Sequence, residues 1–211
     1  MQGPFAINYG SPTLANYLFL GEVDDNVPYA RIFAAGQGGA AAAIALAGVG
    51  IGNCLLYAIV YGVAGSKWVR TNTYASLGAY CMLLMCAGNV WSYVPIRALT
   101  THADIALVAQ GTSLAPLVLF ALLLLPAGFV IYHFLAKACA RTWPALVQHS
   151  GARLAFLAGL TGYWLFGLFG SVALSGSYGL VSQIGSIISV YLLFPLSLPL
   201  IWQRYSGLLA R

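Results

Sequence analysis

Charged side chains are nearly missing from this sequence: its 211 residues include nine Lys and Arg and four Asp and Glu, 6% charged in all, where a soluble domain carries about 25%. With 61% apolar residues beside them, no soluble fold could cover its core. Acids are rarest. Glu22, Asp24, Asp25 and Asp104 are the whole set, and all lie outside the long apolar runs, which argues against proton-coupled transport through intramembrane carboxylates. Serines are plentiful, but none has an acid and a His beside it in a nucleophilic-triad motif. The basic residues are scattered, with no cluster to track a phosphate backbone, so nucleic acid is not an expected partner. Cys54, Cys81, Cys86 and Cys139 sit in or at the ends of apolar runs and give no disulfide framework. Met1-Gln2-Gly3-Pro4 does not open a basic then apolar leader, so no cleavable signal peptide is expected and the first insertion signal is the first span.

What is present is apolar length. Runs of about 20 apolar residues cross a hydrocarbon layer about 30 Å thick, and only helices or closed barrels satisfy the backbone there. Continuous runs, rather than alternating segments of about ten residues, select helices. The expectation is an all-α integral membrane protein, one membrane domain over 1–211. It has about five spans, near 32–64, 74–94, 114–136, 154–174 and 180–202, and a non-helical extramembrane segment over 1–30. Pro95 is expected to end the second span and Pro126 to kink the third. An alternative breaks the first run at Gly48-Val49-Gly50-Ile51-Gly52, which would invert every later loop.

Five unbroken spans put Arg31 and Arg97 on one side and Lys67, Arg70, Lys137, Arg141, Arg153, Arg204 and Arg211 on the other. By the positive-inside rule the N-terminus is outside and the C-terminus cytoplasmic, in the inner membrane if the host is bacterial. Trp68, Trp143 and Trp202 near one set of helix ends, and Trp91 and Tyr93 near the other, read as interfacial anchors. Gly48 with Gly52, and Gly159, Gly162 and Gly170, form small-residue faces for close helix packing. The expected partners are the lipid bilayer and other membrane protein subunits.

Two places invite chemistry. Asn89, Arg97, His102 and Asp104 gather an amide, a guanidinium, an imidazole and a carboxylate at the outer end of the second span. His133 lies seven residues past Pro126, about two turns on, where an imidazole could ligate a haem or pigment or bond a quinone. Cys81, Met82, Met85 and Cys86 form two soft-ligand pairs, but these point about 100° apart on the helix.

An Asn near a helix end, a Pro a few residues on and then an Asp, here Asn89, Pro95 and Asp104, resemble the third-ligand region of site-2-type intramembrane zinc metallopeptidases. Ala34-Ala35-Gly36-Gln37-Gly38-Gly39 is similar to the small-residue helix opening before it. The resemblance implies that Asp104 stands at the ligand position, and that residues 5–31 supply a short sheet before the Gly-rich helix. The His-Glu-x-x-His motif that holds zinc and activates water is absent, since Glu22 is the sole glutamate and His102, His133 and His149 are never paired at that spacing. The functional expectation is therefore a non-catalytic accessory or scaffolding subunit of a larger membrane complex. The alternatives are a diverged metallopeptidase relative lacking the zinc His pair, and a pigment, haem or quinone-binding subunit. Zinc, haem or pigment enters only with those alternatives, and no metal site is otherwise expected.

Overall fold

A computed structural model describes residues 27–99, 104–176 and 178–210; Glu22, Asp24, Asp25, Thr100, Thr101 and His102 fall outside them, as do residues 1–26. The described residues are helical, without a strand. A short α1 (Tyr29–Ala34) ends at Gly36, whose φ of 71° suits a residue with no side chain. Helicity thus begins inside the segment 1–30 expected to be non-helical. Five helices are long and apolar enough to cross a membrane: α2 (Gly38–Val63), α4 (Thr73–Ile96), α6 (Pro116–Val147), α7 (Gly151–Ser171) and α8 (Leu180–Leu208). Two short helices join them, α3 (Lys67–Thr71) between α2 and α4 and α5 (Asp104–Thr112) between α4 and α6.

Local chemistry sets the boundaries. Ser66, Asn72 and Ser150 cap α3, α4 and α7 by accepting from the backbone N–H of Val69, Ala75 and Arg153. Pro116 opens α6 at a position whose N–H has no helical partner. Gln148 and His149, both at positive φ (46° and 61°), reverse the chain into α7. Pro95 lies in a π-helical last turn, Ser92–Ile96, and α4 stops there as expected.

The first run stays helical through Gly48–Gly52, as the unbroken reading expects, and widens there into a π-helical segment, Gly48–Leu55. Two expectations need correction. The third helix does not stop near 136 but continues to Val147, past Pro126 and Pro144. It continues because its last turns are amphipathic: Cys139, Thr142, Trp143, Leu146 and Val147 are buried while Lys137 and Pro144 are exposed. Trp143 is consequently no interfacial anchor. It is fully buried, with its ring centroid 4.6 Å from Tyr205 and 6.2 Å from Tyr80.

Helices α4 and α7 form the centre of the bundle, each buried over half or more of its apolar stretch, while α2, α6 and α8 are buried over less than a quarter of theirs. Polar bonds also tie the helices to one another. Tyr80 Oη and Thr161 Oγ1 lie 2.7 Å apart between α4 and α7, Trp91 Nε1 donates to Ser189 Oγ at 3.0 Å, and Ser189 Oγ donates to the Phe166 carbonyl at 2.9 Å. Close approaches occur at glycine. A Cβ on Gly88 would fall 2.1 Å from the Phe169 ring, one on Gly170 2.1 Å from Ser189 Oγ, and one on Gly162 2.7 Å from Ser197 Oγ.

Outside this centre, α5 lies antiparallel against the start of α2. Gly111, near the end of α5, meets Gly38, the first residue of α2, so closely that a Cβ on Gly111 would sit 2.2 Å from the Gly38 carbonyl oxygen. Ala42 and Ala45 of α2 pack there with Ile105, Val108 and Ala109 of α5 and with Leu119 of α6.

Candidate functional site

Helix alternation sorts the charges. Lys67, Arg70, Lys137, Arg141, Arg153 and Arg204 gather toward the end where α2 finishes, α4 begins, α6 turns into α7 and α8 finishes. Direct bonds hold that end together: Thr73 Oγ1 donates to the Ala145 carbonyl, Gln148 Nε2 donates to Thr73 Oγ1, and the Tyr205 hydroxyl donates to the Leu135 carbonyl. Arg31, Arg97 and Asp104 belong to the opposite end.

At that opposite end the expected four-residue mouth is only partly assembled. The Arg97 guanidinium stacks over Tyr93, 4.1 Å from the ring centroid, with Tyr178 beyond it at 5.7 Å, and its Nε donates to the Ser92 carbonyl at 3.3 Å. Asp104 opens α5 beside them, where the Tyr93 hydroxyl bonds its carboxylate. Burial pushes the Asp104 carboxyl above its usual range, and the Arg97 charge and the Tyr93 bond pull it partly back. His102 lies outside the described residues. Asn89 is not part of this cluster: it sits two turns deeper in α4, where its Nδ2 donates to Asn53 Oδ1 at 3.0 Å. Asn53 Nδ2 in turn donates to the Gly48 carbonyl at 3.0 Å, five residues back along the π-helical segment, and so steadies it.

Because the folded state raises the Asp104 pKa, the fold binds that proton more tightly than the unfolded chain does. The sign follows directly. Stability contributed by the protonated acid is full below the carboxyl's ordinary range and falls as pH rises from there through the raised value. Asp104→Asn is expected to flatten this part of the profile, measured as Tm in detergent between pH 3 and pH 7; a variant with an unchanged slope would contradict it.

The basic end holds what sequence reading did not assemble. His133 Nδ1 and Tyr57 Oη are 2.9 Å apart, and the imidazole lies edge-on to Tyr61 at 4.5 Å between centroids. Phe129 stands on the same helix 5.8 Å from it. Arg141 covers the other side of this aromatic group. Its guanidinium lies 3.8 Å from the Tyr61 ring centroid, and its Nη1 donates to the Tyr61 carbonyl at 2.8 Å. Next to it opens a cavity of about 730 Å³ lined by Lys67, Arg70, Lys137 and Arg141, with Ala136, Ala140 and Pro144 among its apolar walls. The signal was present in the spacing: His133, Lys137 and Arg141 recur every four residues on one helix, opposite Tyr57 and Tyr61, also four apart.

No family model, curated protein or solved structure matches this chain.

The remaining sequence candidates separate by environment. Among the described residues no three His, Cys, Asp or Glu side chains come together as a metal-binding group, and Asp104 meets Tyr93 and Arg97 instead of a second acid or an imidazole. Cys81, Met82 and Met85 are exposed while Cys86 is buried, so the sulfur pairs face different surroundings. Of the small-residue faces, Gly162 and Gly170 lie at close helix contacts. Gly48, Gly52 and Gly159 are open: beyond its own helix backbone, a Cβ on any of them would find no atom of the described residues within 4 Å.

Proposed function

We propose that the chain is a non-catalytic accessory subunit of a larger membrane assembly, N-terminus outside and C-terminus cytoplasmic, that receives a partner's membrane helix on the glycine face of α2. The observation that carries this reading is Gly48 and Gly52, about one helical turn apart on one face, whose missing side chains leave open space among the described residues. Glycine inside a helix costs about 1 kcal/mol relative to alanine, and no close contact among the described residues requires it at these positions. In a bilayer such a face is useful to a second helix, whose backbone can then approach closely. The neighbouring Ile51, Leu55 and Ile59 are exposed and offer apolar flanks to the same visitor. The sidedness rests on the six basic residues gathered at one end of the bundle, the end that the positive-inside rule assigns to the cytoplasm.

The test is purification from native membranes in a mild detergent, comparing wild type with a Gly48→Leu/Gly52→Leu double variant. Wild type is expected to carry other membrane chains at stoichiometric yield and the variant to lose them by at least about tenfold, with its own folding intact because the added side chains enter empty space. Wild type recovered only as a monodisperse monomer would sink the reading.

A further inference from the structure

The cavity at the basic end is more than a gap between helices. Its four cations come from two separate stretches, Lys67 and Arg70 on α3 and Lys137 and Arg141 one turn apart on α6, and they face a common space of about 730 Å³. No acid among the described residues lines that space, and their sole carboxylate side chain, Asp104, is at the other end of the bundle. Four like charges around one cavity repel one another unless an anion joins them. Arg141 is already aimed: stacking on Tyr61 and the bond to the Tyr61 carbonyl fix its guanidinium, so little side-chain freedom is left to lose when it binds a ligand. A guanidinium held this way suits the oxygen atoms of a phosphate.

The surroundings identify the bearer of that phosphate. Toward this end of the bundle α2 and α6 also carry exposed apolar side chains, Ile59 and Val63 on α2 and Phe129 and Tyr132 on α6, while Trp68 stands exposed next to Lys67 in the chain. An acyl chain laid along α2 and α6 would bring its headgroup phosphate to the cations, as basic pockets between membrane helices do. We infer that the cavity between α2, α3 and α6 is a binding site for the phosphate of an anionic phospholipid, with Arg141 and Lys137 as its inner contacts and Lys67 and Arg70 at its rim.

The experiment uses the full chain in detergent micelles, titrated with phosphatidylglycerol, with phosphatidylcholine and with inorganic phosphate, and read by native mass spectrometry and thermal shift. The expected result is saturable retention of phosphatidylglycerol over phosphatidylcholine, unaffected by millimolar inorganic phosphate. Lys137→Gln/Arg141→Gln is expected to weaken it about 25-fold, each cation near a membrane surface being worth about fivefold. Because Arg141 also braces Tyr61, the exposed pair Lys67→Gln/Arg70→Gln provides a second variant that leaves packing intact and is expected to weaken binding in the same direction. Arg31→Gln, a charge change at the opposite end, is expected to change nothing. Equal retention of both lipids, or undiminished phosphatidylglycerol binding in the Lys67/Arg70 variant, would overturn the assignment. So would inorganic phosphate that binds alone and displaces the lipid, since the cavity would then be a free-phosphate site.

Discussion

Trp143→Ala is expected to destabilise the bundle by about 3–5 kcal/mol, the largest loss from any single side chain here. Trp143 heads the fully buried side chains by size and stands between Tyr80 and Tyr205, tying α6 to α4 and to the end of α8. Removing it leaves a void that Phe134, itself stacked on Tyr80, and Leu154 cannot fill without moving. The loss is one of packing, which lipid does not replace, because the site is closed on all sides. The indole itself adds a finer expectation. Its Nε1 is buried with no hydrogen-bond partner among the described residues, so Trp143→Phe gives up volume while removing an unsatisfied donor, and should cost less than about 1.5 kcal/mol. Reversible unfolding in mixed micelles measures both. Equal losses for the two variants would mean that the ring's packing is not what matters.

The second large effect is expected at Gly111. A Cβ there would lie 2.2 Å from the Gly38 carbonyl oxygen, a backbone atom that cannot rotate away, and 3.0 Å from the Ala42 Cβ. Gly111→Ala must therefore push α5 off the start of α2, at a cost of about 1–3 kcal/mol, and should loosen the packing that seats Ile105 and Val108 beside Ala42 and Ala45. The informative comparison is Gly48→Ala. It adds the same methyl group to a glycine of α2 with no neighbour within 4 Å, and in the isolated chain it should gain about 0.5–1 kcal/mol from helix propensity alone. Opposite signs at two glycines of one packed layer separate a close contact from an open face. Matching signs would contradict the geometry.

These contrasts also mark what could be read from composition and what could not. The number of membrane-length helices follows from the apolar runs, because each must be long enough for the hydrocarbon layer and each ends at a turn-forming or polar stretch. The end of α6 was harder to read: Lys137 and Arg141 look like an exit from the membrane, yet the helix runs on to Val147 because its other face stays buried. Trp143 misleads for the same reason, since its position near basic residues suggests an interface while its face points inward. Glycine faces are legible as faces, but sequence does not tell which are occupied, and only three-dimensional packing separates Gly170, pressed on Ser189, from Gly52, where a Cβ would meet no other described residue within 4 Å beyond its own helix. The outer mouth reads as one cluster along the chain because its residues are close in sequence. Eight residues of helix nevertheless separate Asn89 from Arg97, and Asn89 spends its donor on Asn53 instead. The basic cavity had a readable half, the four-residue spacing of Lys137 and Arg141; its other half, on α2 and α3, is brought there only by the fold.

The claim that α2 presents a docking face for another membrane helix is tested most directly by photo-crosslinking in native membranes. A photoreactive side chain is placed at Gly52, on the open face, and in parallel at Leu125, exposed on α6. A discrete protein adduct from position 52, with only lipid adducts from position 125, is the predicted result. Lipid adducts alone from both positions would contradict it.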